Sequence, residues 1–373
     1  MFIRIDKSAL LDGIAMAMRA VGFRATQPIM ACLFLEVVNG GVRLTGNNLE
    51  MSIQTAVIPD NPSMEREEGK IAIDAKVFSD IVKNLPAGEI QISADQKHLV
   101  TIKSGKSEFK ILGNNPDEFP ASDDLKTNTM FAILNNALRD MVKGVIFAAS
   151  VNATKPQLGG ALIKIKDGSI EMVACDGFRI ALNKRLSEDF KNENYEVIIP
   201  AKTLMEIVKM LPSGAEDTLT AHLDINKAML EFEGGKMVSR LLEGAYIQYE
   251  SMLEIEEKTN ITANRADLLA TIDRATLVGD KVPTKFEIDN DALFISAEGS
   301  MGSMGNMSEE VPIQHEGDNL KIAFNPRYML DALKAITSEK VRLSFQGSVS
   351  PCIIQPVDDE NCKHLVLPLR LPK

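Results

Sequence analysis

Four histidines (His98, His222, His315 and His364) and four cysteines (Cys32, Cys175, Cys352 and Cys362) carry the broadest chemical repertoire in this chain. Catalysis or metal binding by such residues needs clusters or ligand spacing, and here they are scattered. No HExxH, GxSxG or GxxxxGK(S/T) pattern accompanies them. Without a CxxC pair, the cysteines indicate neither a zinc site nor a disulfide framework, and they fit a reducing cytoplasm. The glycine-rich run from Gly299 to Gly305 follows an expected strand without opening a helix, so it reads as a hairpin loop rather than a phosphate cradle. The expectation is a non-enzyme with no catalytic residue, no metal and no cofactor.

The residues whose spacing does repeat are charged. AKVFSDIVKNLP from Ala75, AKTLMEIVKMLP from Ala201 and PRYMLDALKAI from Pro326 recur at a period of about 125 residues. Each carries a base, an acid four residues on and a base seven residues on: Lys76, Asp80 and Lys83; Lys202, Glu206 and Lys209; Arg327, Asp331 and Lys334. On a helix these offsets share one face. The opposite arc is apolar, with Phe78, Ile81, Val82 and Leu85, then Leu204, Ile207, Val208 and Leu211, then Met329, Ala332, Leu333 and Ile336. A single lysine pair does no more than solvate a helix, whereas positive charge at the same offset in three copies points to a polyanion. The intervening acid weakens the local field, which suits sequence-independent, salt-sensitive contact with a phosphate backbone along which the protein slides.

A second helix is expected upstream of each copy, over Lys7–Val21, Asn136–Ala149 and Arg265–Val278, with Arg19, Arg139, Lys143, Arg265 and Arg274 as its cations. Between the helices run short alternating segments broken by turn residues. These are Cys32–Gly46, Ala161–Cys175 and Lys285–Gly299, with hairpin signals at Asn-Gly-Gly, Lys-Asp-Gly and Asp-Asn-Asp. The fold class is therefore α+β, three repeated domains over 1–128, 129–254 and 255–373, each an antiparallel sheet covered on one side by two helices.

Composition sets the outer bounds. A chain of 373 residues has room for two or three domains, and 45% hydrophobic with 25% charged residues is a soluble globular balance. No apolar run reaches the roughly 18 residues that span a bilayer, and the opening MFIRIDKSALL lacks a signal-peptide layout, so no membrane association is expected. The net charge of -11 opposes nucleic-acid binding unless the positive charges are concentrated on one surface. On the residues alone, three readings stand: a DNA-contacting scaffold, an enzyme or sugar-binding α+β protein with inconspicuous carboxylates, and a repeat-built interaction module that never meets DNA.

Five motifs in order narrow these readings: RATQPI from Arg24, LTGNNLEM from Leu44, ACDGFRI from Ala174, LEGAYIQY from Leu242 and LPLRL from Leu367. With them the whole chain resembles the beta subunit of the bacterial replicative DNA polymerase, DNA polymerase III, the sliding clamp family of processivity factors. The resemblance implies three similar domains per chain and a head-to-tail homodimer closed into a ring. Helices would line the hole around non-specifically bound double-stranded DNA, and the acidic excess would sit outside. It also implies, as partners, the DNA polymerase III alpha subunit, clamp loader subunits and other proteins with a clamp-binding motif.

Site residues carry over by motif. The partner-peptide cleft would comprise Leu158, Cys175, Gly177, Phe178, Arg179, Ile180, Ile247, Met252, Leu365, Val366, Leu367, Pro368, Leu369 and Arg370, mostly apolar with Arg179 and Arg370 at its edge. DNA contacts would come from Lys76, Lys83, Lys202, Lys209, Arg327 and Lys334 on the helices, and from Arg24, Asn152, Lys155 and Gln157 in loops, with Lys281 and Lys285 as further candidates. The dimer interface would use Phe109 and Ile111 from the first domain and Leu277 and Val278 from the third. The chain departs from the family where His, Pro and Arg are frequent, having Phe178, Ile247 and Ser251, and it has Pro156-Gln157 in place of an aromatic pair. It also continues past the usual terminal leucine with Pro372 and Lys373.

Overall fold

Among the described residues, six α-helices form where apolar residues recur at helical spacing: α1 (Lys7–Ala17), α2 (Ala75–Asn84), α3 (Asn135–Val145), α4 (Ala201–Met210), α5 (Arg265–Thr276) and α6 (Pro326–Ala335). The computed structural model describes the chain except residues 23–26, 39–40, 59–65, 121–124, 126–129, 152–153, 188–193, 213, 215–216, 280–281, 300–304 and 371–373. Four helices open on a side-chain cap, Asp6, Asp74, Asn264 and Asn325, whose oxygen accepts from backbone N–H groups of the first turn. The first helix of each repeat is shorter than its sequence suggests. After α1 and α3 the backbone tightens into the 3-10 turns Met18–Ala20 and Ile146–Ala148, and α5 stops at Thr276.

The triplicated helices bury the arc that the periodicity assigns. Phe78, Val82, Leu204, Ile207, Met329, Ala332 and Leu333 are essentially inaccessible. Each large side chain so placed contributes on the order of 2 kcal/mol of transfer free energy. Ile81 and Val208 are only half-buried. A shared device closes the far end of two of these helices. Lys7, at the start of α1, donates through Nζ to the carbonyls of Lys83 (2.9 Å) and Leu85 (2.5 Å) at the end of α2. Arg265, at the start of α5, donates to Leu333 (3.4 Å) and Ser338 (2.9 Å) at the end of α6. Each cation answers carbonyls that a helix terminus leaves unpaired, at the negative end of its dipole. Arg265 is thereby a capping residue rather than part of an open cationic face.

Among the described residues, three antiparallel sheets accompany the helices. The first has the order Arg66–Glu67, Phe2–Asp6, Glu89–Ala94, Leu99–Ser104, Ser107–Leu112. The second runs Met130–Leu134, Thr218–Leu223, Lys227–Phe232, Gly235–Arg240, Met51–Val57, Gly41–Asn47, Cys32–Val38, Gly69–Asp74. The third runs Tyr195–Pro200, Gly160–Lys166, Ser169–Cys175, Arg179–Leu186, Cys362–Val366, Cys352–Pro356, Lys340–Phe345, Thr259–Asn264, Asn306–Gly317, Ala292–Glu298, Thr284–Asp289, Leu320–Phe324. The turn Asp167-Gly168 takes positive φ at both residues, 52° and 74°, the hairpin geometry its sequence signals. The run Gly299–Gly305, mostly outside the described residues, joins the paired strands Ala292–Glu298 and Asn306–Gly317, in keeping with a hairpin loop.

The strands gather into two compact units, residues 1–136 with 206–241 and residues 137–205 with 242–373. The middle repeat is divided between them because its strands complete the sheets of both neighbours. In the first unit Gly235–Ser239 pairs with Met51–Thr55, and in the second Arg179–Asn183 pairs with Cys362–Val366. No helix among the described residues is long and apolar enough to cross a membrane.

His364 is buried in the second unit. Its Nε2 lies 3.0 Å from the carbonyl of Gly144 in α3, and its ring packs edge-on to Phe147 at 5.2 Å. Burial pushes its pKa down to about 4, against the Gly144 hydrogen bond that favours the proton. The unfolded chain titrates near 6.5. The neutral ring's contribution is therefore complete above pH ~6.5 and is lost as the pH falls from there toward 4. Urea denaturation across this window should lose up to about 3 kcal/mol of unfolding free energy, and His364→Gln should flatten the dependence. The same slope in both proteins would exclude His364 as the titrating group.

Candidate partner cleft and cationic helix faces

The candidate cleft is built around the turn that carries ACDGFRI. Asp176 closes it, its Oδ1 accepting from the N–H groups of Phe178 (2.9 Å) and Arg179 (3.0 Å), while Gly177 takes φ +92°, a conformation open to glycine. This presents Phe178, 58% exposed, against the ring of Tyr328 on α6, with centroids 6.1 Å apart. The backbone N–H of Leu367 donates to the Phe178 carbonyl (2.9 Å) and that of Leu369 to Ala323 (2.7 Å), so the C-terminal segment is held as an edge of the site. Leu367, Pro368, Leu369 and Arg370, with Lys321, Ser348 and Val349, border a cavity of about 690 Å³.

The other carried-over residues separate by depth. Cys175, Ile180 and Leu365 are buried in a cluster with Leu162, Val173, Tyr249 and Leu253, on which Leu158 and Ile247 pack half-buried. Val366 belongs to the core of the third repeat, and Met252 is 49% exposed. Burial raises the Cys175 thiol pKa, so it stays protonated and serves as an apolar floor.

Arg179, expected at the edge, is instead enclosed, its side chain 11% exposed. Its guanidinium meets Asp176 Oδ2 at 3.0 Å, Asp331 Oδ2 at 2.6 Å and the Phe147 carbonyl at 2.7 Å. It also lies over the rings of Tyr328 (4.5 Å) and Phe147 (5.3 Å). Three acceptors and two aromatic faces thus fix it as a strut between the strand Arg179–Leu186 and α6. Arg370 alone of the two arginines is an exposed cation.

On the helix faces Lys76, Lys83, Lys202, Lys209, Arg327 and Lys334 are all exposed. The acids between them behave differently from the expectation of a weakened field. Glu206 accepts from Arg19 of α1's 3-10 extension (2.8 Å) and from Lys209 (2.8 Å), and these cations hold its carboxyl below the usual range although burial opposes them. Asp331 is bound by Arg179. In two copies the acid is therefore neutralised by an arginine from the preceding repeat. Arg274 is engaged by Glu309 through two 2.5 Å hydrogen bonds, which leaves α5 less cationic than its composition suggests.

Among the loop candidates, Lys155 is exposed and Gln157 donates to the Ala245 carbonyl at 3.3 Å. Arg24, Asn152 and Lys281 lie outside the described residues. Lys285 is paired with Glu298 at 2.9 Å. Phe109 and Leu277 are 41% and 73% exposed, Val278 is half-buried, and Ile111 packs half-buried on the first core.

Sequence reasoning missed Tyr328, Lys321, Ser348 and Val349. Tyr328 occupies the offset held by Val77 and Thr203 in the other copies, so an aromatic residue at that one position was the available signal.

Three family models match the chain in order: the DNA polymerase III beta subunit N-terminal domain over residues 1–123, its central domain over 132–248 and its C-terminal domain over 251–370. The beta sliding clamp of Halalkalibacterium halodurans is 32% identical over 377 residues, and that of Bacillus subtilis 31% over 376, each match covering 98% of both chains. Among solved structures, the DNA polymerase sliding clamp from Bacillus subtilis superposes with a TM-score of 0.95 at 30% identity, covering 100% of both chains. A putative DNA polymerase III beta subunit from Eubacterium rectale gives 0.93 at 30%, again over 100% of both. The chain belongs to the DNA polymerase III beta subunit family, the beta sliding clamps.

If Arg179 is the strut described, Arg179→Ala should lower the unfolding free energy by about 3 kcal/mol, the scale for removing one member of a largely buried ion pair. Arg179→Lys should restore less than half of that, because a lysine lacks the planar fork. A urea midpoint unchanged by Arg179→Ala would contradict the role.

Proposed function

We propose that this protein is a DNA sliding clamp that encircles duplex DNA without reading its sequence and tethers the replicative polymerase to it. It has no catalysis of its own. Three domains, 1–128, 129–254 and 255–373, would form half of a ring, and a second copy joined head to tail would complete it. Lys76, Lys83, Lys202, Lys209, Arg327 and Lys334 would face the phosphates. The cytoplasm would be its compartment.

One observation carries the ring: the chain makes the same strand junction twice and holds the two halves of a third. In the first junction Ile53 lies opposite Met237, and in the second Ala181 lies opposite His364. Hairpin registers extend the equivalence. Gly46 opposite Ile53 and Ala174 opposite Ala181 correspond to Ala297 opposite Met307. Phe232 opposite Gly235 corresponds to Ser104 opposite Ser107, which matches Met237 to Phe109. Ser107–Leu112 ends the first sheet. Residues 306–312 have the strand Ala292–Glu298 on one side, and the pairing with Thr259–Asn264 on the other covers only 313–317. Unpaired edges of this kind invite another chain. A partner's Phe109 would therefore sit opposite Met307, burying an otherwise exposed ring.

The cleft around Leu367–Arg370 would receive short extended motifs, apolar anchors entering beside Phe178 and Val349. The alpha subunit of DNA polymerase III, clamp loader subunits and other motif-bearing proteins would compete for it. Phe178, Ile247 and Ser251 make this rim more apolar than is usual in the family, which favours motifs with a second hydrophobic anchor.

Phe109→Cys combined with Met307→Cys should give a covalent dimer on oxidation, since directly opposed strand residues fall in the Cα range of about 4.4–6.8 Å that a disulfide needs. That closed species should stay on nicked circular DNA and leave when the circle is cut. A chain that remains monomeric at high concentration, or that is retained equally on linear DNA, refutes the ring. Glu at Lys76, Lys202 and Arg327 together should reduce retention and its salt dependence; unchanged loading would refute the inward cationic faces. Removing Leu369–Lys373 should abolish binding of a polymerase tail peptide, and full residual affinity would refute the cleft.

A further inference from the structure

Residues 243–257 carry the chain from the second repeat to the third across the third sheet. At either end a backbone N–H donates to that sheet, Leu242 to the Ile198 carbonyl (2.9 Å) and Lys258 to that of Phe345 (2.9 Å). Between them, among the described residues, no backbone hydrogen bond reaches the sheet. Side chains seat the segment instead. Tyr249 and Leu253 are buried in one cluster with Leu162, Val173, Cys175, Ile180 and Leu365, and Ile247 packs half-buried against it. Ile247 and Met252 are the segment's two residues in the candidate cleft, so its seating sets the position of that wall.

The polar contacts that hold the segment are unequal. Gln157 Nε2 donates to the Ala245 carbonyl at 3.3 Å and Tyr246 Oη to that of Gly160 at 3.4 Å, both long and uncharged. Lys164–Glu250 and Arg342–Glu257 are short, at 2.8 Å each, but exposed enough to contribute little. Tyr249 Oη donates to Glu171 Oε2 at 2.9 Å, with Tyr249 2% exposed and the Glu171 side chain 18%. That bond alone of the five is short, sheltered and charge-assisted. Register puts it there. Leu162, Val173 and Leu182 lie directly opposite one another, and two residues along, on the same face, come Lys164, Glu171 and Lys184. Tyr249 packs its ring on the apolar row and reaches the charged row with its hydroxyl. Lys184 takes Glu171 Oε1 at 2.7 Å, which leaves Oε2 to the tyrosine. The Tyr249 carbonyl in turn accepts from the N–H groups of Met252 (3.0 Å) and Leu253 (3.2 Å), opening the 3-10 turn Glu250–Met252.

We propose that Glu171 is a positioning residue for partner binding: it fixes Tyr249, and through it the Ile247 and Met252 wall, without itself belonging to the cleft. This rests on the cleft reading above. A wall that is loose in the free protein must be ordered on binding, so loss of the anchor lowers affinity although no contact with the peptide is removed. The probe is a tail peptide of the DNA polymerase III alpha subunit, titrated against the full chain with both rates measured. Tyr249→Phe keeps the ring and removes the donor, Glu171→Leu removes the acceptor, and Glu171→Gln retains one. The first two should each weaken the peptide about fivefold, chiefly through faster dissociation, while Glu171→Gln stays within about twofold of the unaltered chain. In a chain already carrying Ile247→Ala and Met252→Ala, Glu171→Leu should cost less than about twofold, because the wall through which it acts is gone. Unchanged affinity in Tyr249→Phe and Glu171→Leu, equal losses from Glu171→Gln and Glu171→Leu, or a fivefold loss that persists in the truncated wall overturns the proposal. An unaltered chain that does not bind the peptide, or that binds it as well without Leu369–Lys373, overturns the cleft reading itself. Loss of binding on that deletion with full affinity in the Glu171 and Tyr249 variants leaves the cleft standing and removes only the anchor.

Discussion

A β-strand with one unpaired side is an unfinished hydrogen-bonding surface, and each sequence repeat of this protein ends in one. The first repeat cannot complete the sheet that contains Met51–Val57, and the second cannot complete the one that contains Arg179–Leu186. In both cases the following repeat supplies the missing strand, Gly235–Arg240 or Cys362–Val366. In the second unit His364, on the strand that pairs with Arg179–Asn183, is buried against Gly144, and Arg179 reaches Asp331 of the following repeat. The strand completion also explains why three repeats settle into two compact units rather than three.

Charge follows the same seams. Arg19 meets Glu206, and Arg179 meets Asp331, each arginine coming from the repeat that precedes the acid. Asp331 sits between Arg327 and Lys334 and is bound by Arg179, whereas Glu206 is shared between Arg19 and the outer Lys209. The net charge of -11 is then compatible with locally positive helix faces, because the average says nothing about which acids are already engaged.

Much of this was legible in the sequence for a stated reason. The period of about 125 residues, the apolar arcs of the three second helices and the hairpin at Asp167-Gly168 all express local rules, so they read directly from residue spacing. Long-range partners did not read. Arg179 looked like a cleft-edge cation because nothing in its neighbourhood names Asp331, 152 positions away. Arg265 reads as part of a cationic face because the carbonyls it meets, Leu333 in α6 and Ser338 just beyond it, lie 68 and 73 positions away. The first helices were drawn too long because apolar periodicity persists through the 3-10 turns that end two of them. Tyr328, which contacts Phe178 and Arg179, differs from its counterparts Val77 and Thr203, so a repeat pattern built on sameness does not single it out.

The twice-made strand junction has a kinetic corollary for the proposed ring. Two of the seams are tethered by the chain itself, so a transient rupture there is re-formed at a high effective local concentration, whereas the seam between copies has no such leash. With the same pairing geometry at every seam, covalent connectivity alone would make the inter-copy joint the one that stays open long enough for a double helix to pass.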